Sequence, residues 1–166
     1  MKRLQLLFVA ALAAAAVAAV AVATGSAGSS GERTIRLVER GGTFAFVDNA
    51  PTGNRTTRVI SAGDFSAGTV KLYDRSGKRA GSLHIVCIAT ISGPEVHQKF
   101  QCSGTVRLAD GTLAISALNE RRADRDLDHI SVVGGTGAYK GARGTVTTTT
   151  SGPSGNVSDD VIHLLA

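Results

Sequence analysis

The chain has only two cysteines, Cys87 and Cys102, and each lies in a run where apolar and polar side chains alternate. Period-two alternation places successive side chains on opposite faces of a strand. Setting the two cysteines opposite each other in an antiparallel hairpin fixes the whole register. Leu83 then faces Val106, Ile85 faces Gly104 and Ala89 faces Phe100, and all of these are apolar or small. On the other side His84 meets Thr105, Val86 meets Ser103 and Thr90 meets Lys99, a more polar surface. A slip of one residue would exchange the two faces, so bond and pattern support the same pairing. One disulfide is expected, and closing so short a loop is worth about 3 kcal/mol in the chain-entropy account.

The rest of the chain repeats this chemistry. After residue 30 no stretch keeps helical apolar spacing for two turns, while short β-branched runs are punctuated by glycine, proline, asparagine and aspartate. Strands are expected near Arg33 to Arg40, Thr57 to Asp74 with a bend at Gly63 or Gly68, Arg79 to Ile91, and Gln98 to Leu108. Four more follow: Thr112 to Asn119, His129 to Val133, Gly144 to Thr150, and Val157 to Leu165. Thr43 to Asp48 is open between a separate short strand and an extension of the first past Gly41-Gly42. Asn49 to Thr57 reads as a mobile loop, and Asn54 and Asn156 each begin a glycosylation sequon. The short connections require antiparallel neighbours. Eight such strands either close into a barrel or stack as a sandwich, since an open sheet leaves two unpaired edges.

The N-terminus places Lys2 and Arg3 before an uncharged apolar run, Leu6 to Ala23, followed by small residues. This is the pattern of a secretory signal peptide over residues 1–27, with cleavage after Ala23 or Ala27. An uncleaved membrane anchor is the alternative, because the run is long enough to span a bilayer. Residues 28–166 then form a single β domain. Without Lys2 and Arg3, the 18 basic residues fall to 16 against 13 acidic ones, a net charge of +3. Arg121, Arg122 and Arg125 are interleaved with Asp124, Asp126 and Asp128, so no phosphate-binding stripe forms and nucleic acid is not an expected partner.

The glycine-rich stretch VVGGTGAYKGARG, Val132 to Gly144, superficially resembles a nucleotide loop. Such a loop works by leading into a helix whose free N–H groups receive phosphate. Here it leads into TVTTTT, which is strand chemistry, so Gly135, Gly137 and Gly141 are expected to shape a turn and bind no nucleotide. His84, His97, His129 and His163 have no ligand-type spacing, so no metal site is expected. Asp124 to His129 reads as a solvated loop, and no G-x-S-x-G elbow is present. If the domain is catalytic, Glu39 and Asp64 are the candidate acids, since burial in an apolar barrel would raise a carboxyl into the working range of a general acid or base. Alternation nominates Phe65, Leu72, Ile85, Phe100, Ile115 and Ile130 as cavity-lining residues.

GDFSAGTVKLYD (Gly63 to Asp74), the hairpin around HIVCIAT, and DHISVVGGTGAYKGARG (Asp128 to Gly144) together resemble the allene oxide cyclase and dirigent barrels, over about half of the chain. The resemblance implies an all-β, eight-stranded antiparallel up-and-down barrel, a homotrimer in many members, with a cavity for a hydrophobic or phenolic small molecule. It implies cyclisation or stereoselective coupling of that molecule, an isomerase-type activity needing no cofactor; a non-catalytic small-molecule-binding or surface barrel is the alternative. The resemblance places an acidic first-strand residue of the cyclases near Glu39 and a cyclase cysteine at Cys87. Two cyclase positions, a proline and an asparagine, fall on Ala67 and Val70, which departs from the cyclase pattern.

Overall fold

The computed structural model describes residues 32–49, 59–94, 97–121, 126–151 and 157–165. The expected leader, the Asn49 to Thr57 loop beyond residue 49, both sequon asparagines and residues 122–125 lie outside the described residues. Asp126 to His129, expected within a solvated loop, instead belong to a strand, because their backbone pairs with residues 118–121. Among the described residues ten strands follow in order: β1 (Arg33–Val47), β2 (Val59–Ile60), β3 (Phe65–Tyr73), β4 (Arg79–Ala89), β5 (Gly93–Pro94), β6 (Lys99–Leu108), β7 (Gly111–Arg121), β8 (Asp126–Gly135), β9 (Gly144–Ser151) and β10 (Val157–Leu164). Eight of them close into a barrel in the order β1-β10-β9-β8-β7-β6-β4-β3, while β2 and β5 pair as a small separate ribbon. All pairings are antiparallel. Apart from the ribbon, the barrel is an up-and-down meander closed by pairing of its first and last strands.

The hairpin of β4 and β6 has the register expected from the cysteines: Cys87 opposite Cys102, Leu83 opposite Val106, and Ala89 opposite Phe100. Cys87 and Cys102 are joined in a disulfide. The Thr57 to Asp74 run is two elements rather than one bent strand. At Gly63 (φ +96°) the chain turns, separating β2 from β3.

The open question at Thr43 to Asp48 resolves as continuation: β1 runs on through Gly41-Gly42 with a register shift between Glu39 and Gly42. Gly41 takes φ +62°, a left-handed backbone that glycine adopts without a Cβ penalty. The bulge reverses the in-out parity of the strand. It therefore lets Glu39 before it and Phe44 after it both face the interior.

One end of the barrel is packed solid. Leu113, Val132, Ile162 and Leu164 form a continuous core there with Tyr139, which arrives from a 3-10 turn at Gly137–Tyr139. The Arg33 guanidinium lies 5.0 Å from the centre of the Tyr139 ring. This turn is what the glycine-rich stretch builds. Gly137 has φ +60°, and a Cβ at that position would run into the Asp110 carbonyl. Residues following the turn enter β9, with no helix to receive phosphate.

Candidate functional site

The other half of the barrel is hollow. A cavity of about 320 Å³ lies above a floor that includes Leu72, Leu83, Val106 and Ile162. Its volume falls at the lower end of the range that holds small organic ligands. The wall includes Ile85, Phe100, Ile115 and Ile130, together with the disulfide cysteines. Of the cavity residues expected from alternation, Leu72, Ile85, Phe100, Ile115 and Ile130 line it. Phe65 does not. The Gly63 turn sets β3 so that Ser66, Val70 and Leu72 face inward, and half-buried Phe65 pairs with outward-facing Ile88. Of the two positions that depart from the cyclase pattern, Val70 lines the cavity and Ala67 lies in a groove on the outer surface.

Polar groups enter this apolar chamber at a few points. Glu39 on β1 and Asp160 on β10 both line it, and their side chains are hydrogen-bonded to each other. Both belong to inward-facing rows: Leu37 pairs with Asp160, and Glu39 pairs with Ser158 and with Leu72. Burial first, and then the charge and hydrogen bond of Asp160, raise the Glu39 carboxyl from its ordinary 4.5 to about 8. Burial also raises Asp160, against the lowering effect of hydrogen bonds from Thr148 and Glu39. The Thr148 hydroxyl donates to Asp160 Oδ1 at 2.9 Å. Two carboxyls this close in an apolar wall cannot both ionise near neutral pH, so the pair retains a proton. Asn119 and Arg121 of β7 complete the polar lining, with Arg121 set 5.8 Å from the centre of the Phe100 ring.

Asp64, the other acid expected from the sequence, occupies a different place. It is 1% exposed and is not part of the cavity lining. Its two carboxylate oxygens accept the backbone N–H groups of Asn49 and Ser61, each at 2.8 Å, and its carbonyl accepts the Ala89 N–H at 2.8 Å. These contacts tie the end of β1, the turn at Gly63 and the end of β4 together. Gln98, also fully buried, holds the β2–β5 ribbon by donating Nε2 to the Gly93 carbonyl at 2.5 Å. Asp64 and Gln98 thus brace the rim, while Glu39 faces the chamber.

Asp160 was not among the sequence candidates, yet its signal is present. In VSDDVIHLL it shares parity with Ile162 and Leu164, which makes it the acid on the apolar face of the last strand. Thr148 was hidden more thoroughly, in a run of threonines where only register separates the half-buried Thr148 from the exposed Thr145, Thr147 and Thr149. Among the described residues, no group of three or more His, Cys, Asp or Glu side chains is arranged to hold a metal ion. His84 is exposed, between the hydroxyls of Thr69 (3.2 Å) and Ser82 (3.1 Å).

A family model described as the allene oxide cyclase barrel-like domain matches residues 48–162. No curated protein matches the sequence. Solved structures similar to this one include a pyocyanin demethylase, with TM-score 0.63 and 20% identity over 80% of this chain and 99% of that one. Another is the pterocarpan synthase dirigent protein PsPTS1, with TM-score 0.61 and 17% identity over 81% of this chain and 95% of that one. At these identities the likeness to the two structures is one of fold. With more than half of its length matched by the family model, and a closed eight-stranded barrel, the chain belongs to the allene oxide cyclase-like barrel family.

Proposed function

We propose that the hollow half of the barrel binds a hydrophobic or phenolic small molecule and directs its cyclisation or isomerisation, with the Glu39–Asp160 pair as general acid and base. The observation that carries this reading is the pair of neighbouring carboxyls, Glu39 and Asp160, lining an otherwise largely apolar chamber. A carboxyl with a pKa near neutrality can both give and take a proton under ordinary conditions. In an isomerisation, the pair protonates a carbonyl, epoxide or conjugated carbon of the ligand and recovers a proton from another position. The proton count closes with no added reactant. The apolar walls contribute by holding one folded conformer of the ligand, which favours one product over many. The two solved structures of similar fold are named a pyocyanin demethylase and a pterocarpan synthase dirigent protein, and they contribute only that the barrel fold occurs in proteins with such names. The reading includes export from the cell, supported by the leader pattern and the cysteine pair.

The test is binding followed by turnover. A panel of fluorescent phenolics, fused-ring aromatics and unsaturated fatty acids is titrated into the protein, and bound compounds are followed for conversion. Ile130→Trp, which fills the chamber, should weaken binding at least tenfold. The double variant Glu39→Gln with Asp160→Asn should keep binding and lose turnover. Turnover that survives the double variant sinks the acid–base role. Binding with no conversion of any compound leaves a non-catalytic binding barrel, and failure of every probe to bind sinks the ligand reading itself.

A further inference from the structure

The carboxyl pair is chemically lopsided, and we propose that Thr148 makes it so: by donating its hydroxyl to Asp160, it assigns Asp160 as the base of the pair and Glu39 as the acid. The inference rests on the reading above that this pair is the working group of the chamber. Three adjacent strands supply the three side chains in a row, Thr148 from β9, Asp160 from β10 and Glu39 from β1, and Thr148 stands directly opposite Asp160 in the β9–β10 register. All three line the chamber.

A hydroxyl proton 2.9 Å from Asp160 Oδ1 favours the ionised form of that carboxyl, because a carboxylate accepts more strongly than a carboxylic acid. Glu39 is held differently. Its side-chain partner is Asp160, toward which it must supply the shared proton. The opposed directions of these hydrogen bonds, lowering Asp160 and raising Glu39, agree with that assignment. The other charged groups nearby are Asp159, next along β10, and Arg121, which lines the chamber from β7. Asp159 acts on Asp160 through its charge, whereas Thr148 donates a hydrogen bond to one named oxygen. Exchange of Thr148 for valine, the residue at the preceding inward position 146 of β9, removes the hydroxyl and keeps the branched shape. Thr148 is therefore a positioning residue: it fixes which oxygen delivers the proton to a bound molecule and which receives it.

The experiment is a carboxyl-carbon NMR titration of the protein labelled with 13C at Asp and Glu side chains, with Glu39 and Asp160 assigned from Glu39→Gln and Asp160→Asn. In the unsubstituted protein near pH 6, Glu39 should show the shift of a carboxylic acid and Asp160 that of a carboxylate; the reverse order overturns the proposal without any variant. Thr148→Val should raise the Asp160 midpoint and lower that of Glu39, each by roughly one pH unit, the size expected for losing one hydrogen bond to a charged group. Thr148→Ser should restore both. Midpoints unchanged in Thr148→Val, or a serine variant that behaves like valine, also overturn it. None of these readouts needs a ligand. If the pattern holds and nothing binds, the functional reading fails alone; if turnover is found and the pattern is absent, the Thr148 assignment fails alone.

Discussion

Replacing Glu39 by glutamine should change how stability depends on pH more than it changes stability itself. In the folded protein the Glu39 carboxyl is raised from 4.5 to about 8, so between these values the folded state holds a proton that the unfolded chain has released. Stability from this group is fully present below pH 4.5 and is lost as pH rises through about 8. The slope cannot exceed about 1.4 kcal/mol per pH unit for one proton, and the whole interval corresponds to at most about 5 kcal/mol. Glu39 sits on a cavity wall with access to solvent, which screens the effect, so a loss of about 2 kcal/mol between pH 5 and pH 9 is the expected size. Glutamine keeps an amide donor toward Asp160 but cannot titrate. Urea unfolding followed by circular dichroism at half-unit pH steps should show a falling wild-type curve, a flatter Glu39→Gln curve, and a crossing near neutrality. Asp160, also raised by burial, leaves a residual slope of the same sign that Asp160→Asn removes. If the curves of wild type and Glu39→Gln run parallel from pH 5 to 9, Glu39 does not carry a buried proton and the acid–base reading loses its basis.

Asp64→Asn should cost about 1–2 kcal/mol in the same unfolding assay, because two backbone donors lose a charged acceptor, and should leave the titration of Glu39 unmoved. Gly137→Val forces a β-branched residue to φ +60° and against the Asp110 carbonyl, so a loss of more than about 1 kcal/mol is expected. Calorimetry should find no binding of ATP or NAD to the unsubstituted protein; micromolar affinity lost in that variant would contradict the turn assignment. Peptide mapping without reductant should recover Cys87 and Cys102 in one linked species, and reduction should lower stability by about 3 kcal/mol, as removal of a short cross-link does.

The register of the central hairpin was legible because two cysteines pinned it, and everything that alternates around them followed. Leu72, Ile85, Phe100, Ile115 and Ile130 were legible as chamber residues for the same reason: period two carries through an unbroken strand. It fails where the strand is interrupted. Phe44 follows the bulge at Gly41, which reverses the parity, whereas Phe65 lies seven residues from Leu72 in one unbroken strand and so faces the other way, because the chain breaks at Gly63 and not at Gly68. Neither break announces its effect on facing in the sequence, since a glycine marks that the chain can turn and not by how many residues. Glu39 was accessible from its strand, but its partner Asp160 comes from the far end of the chain. The Thr148 contact depends on a pairing of β9 with β10 that no cysteine marks. Asp64 showed the opposite difficulty. An acid beside a glycine turn suits both a buried catalytic group and a turn acceptor, and only the positions of the Asn49 and Ser61 N–H groups separate the two.

Closure of the barrel by β1 against β10 gives the acid pair an order of assembly. Every other neighbouring pair in the meander is joined by an intervening connection, whereas β1 and β10 meet only when the two ends of the domain come together. Glu39 and Asp160 sit on opposite sides of that seam. An unclosed chain therefore has two ordinary solvated carboxylates and no proton-holding pair, so the chemistry becomes possible only once the fold is complete. The same seam bears the strain of ionisation. When alkali removes the shared proton, two like charges repel across the junction that has no covalent connection, and amide hydrogen exchange should accelerate first in β1 and β10, with the disulfide-linked hairpin of β4 and β6 the last to open.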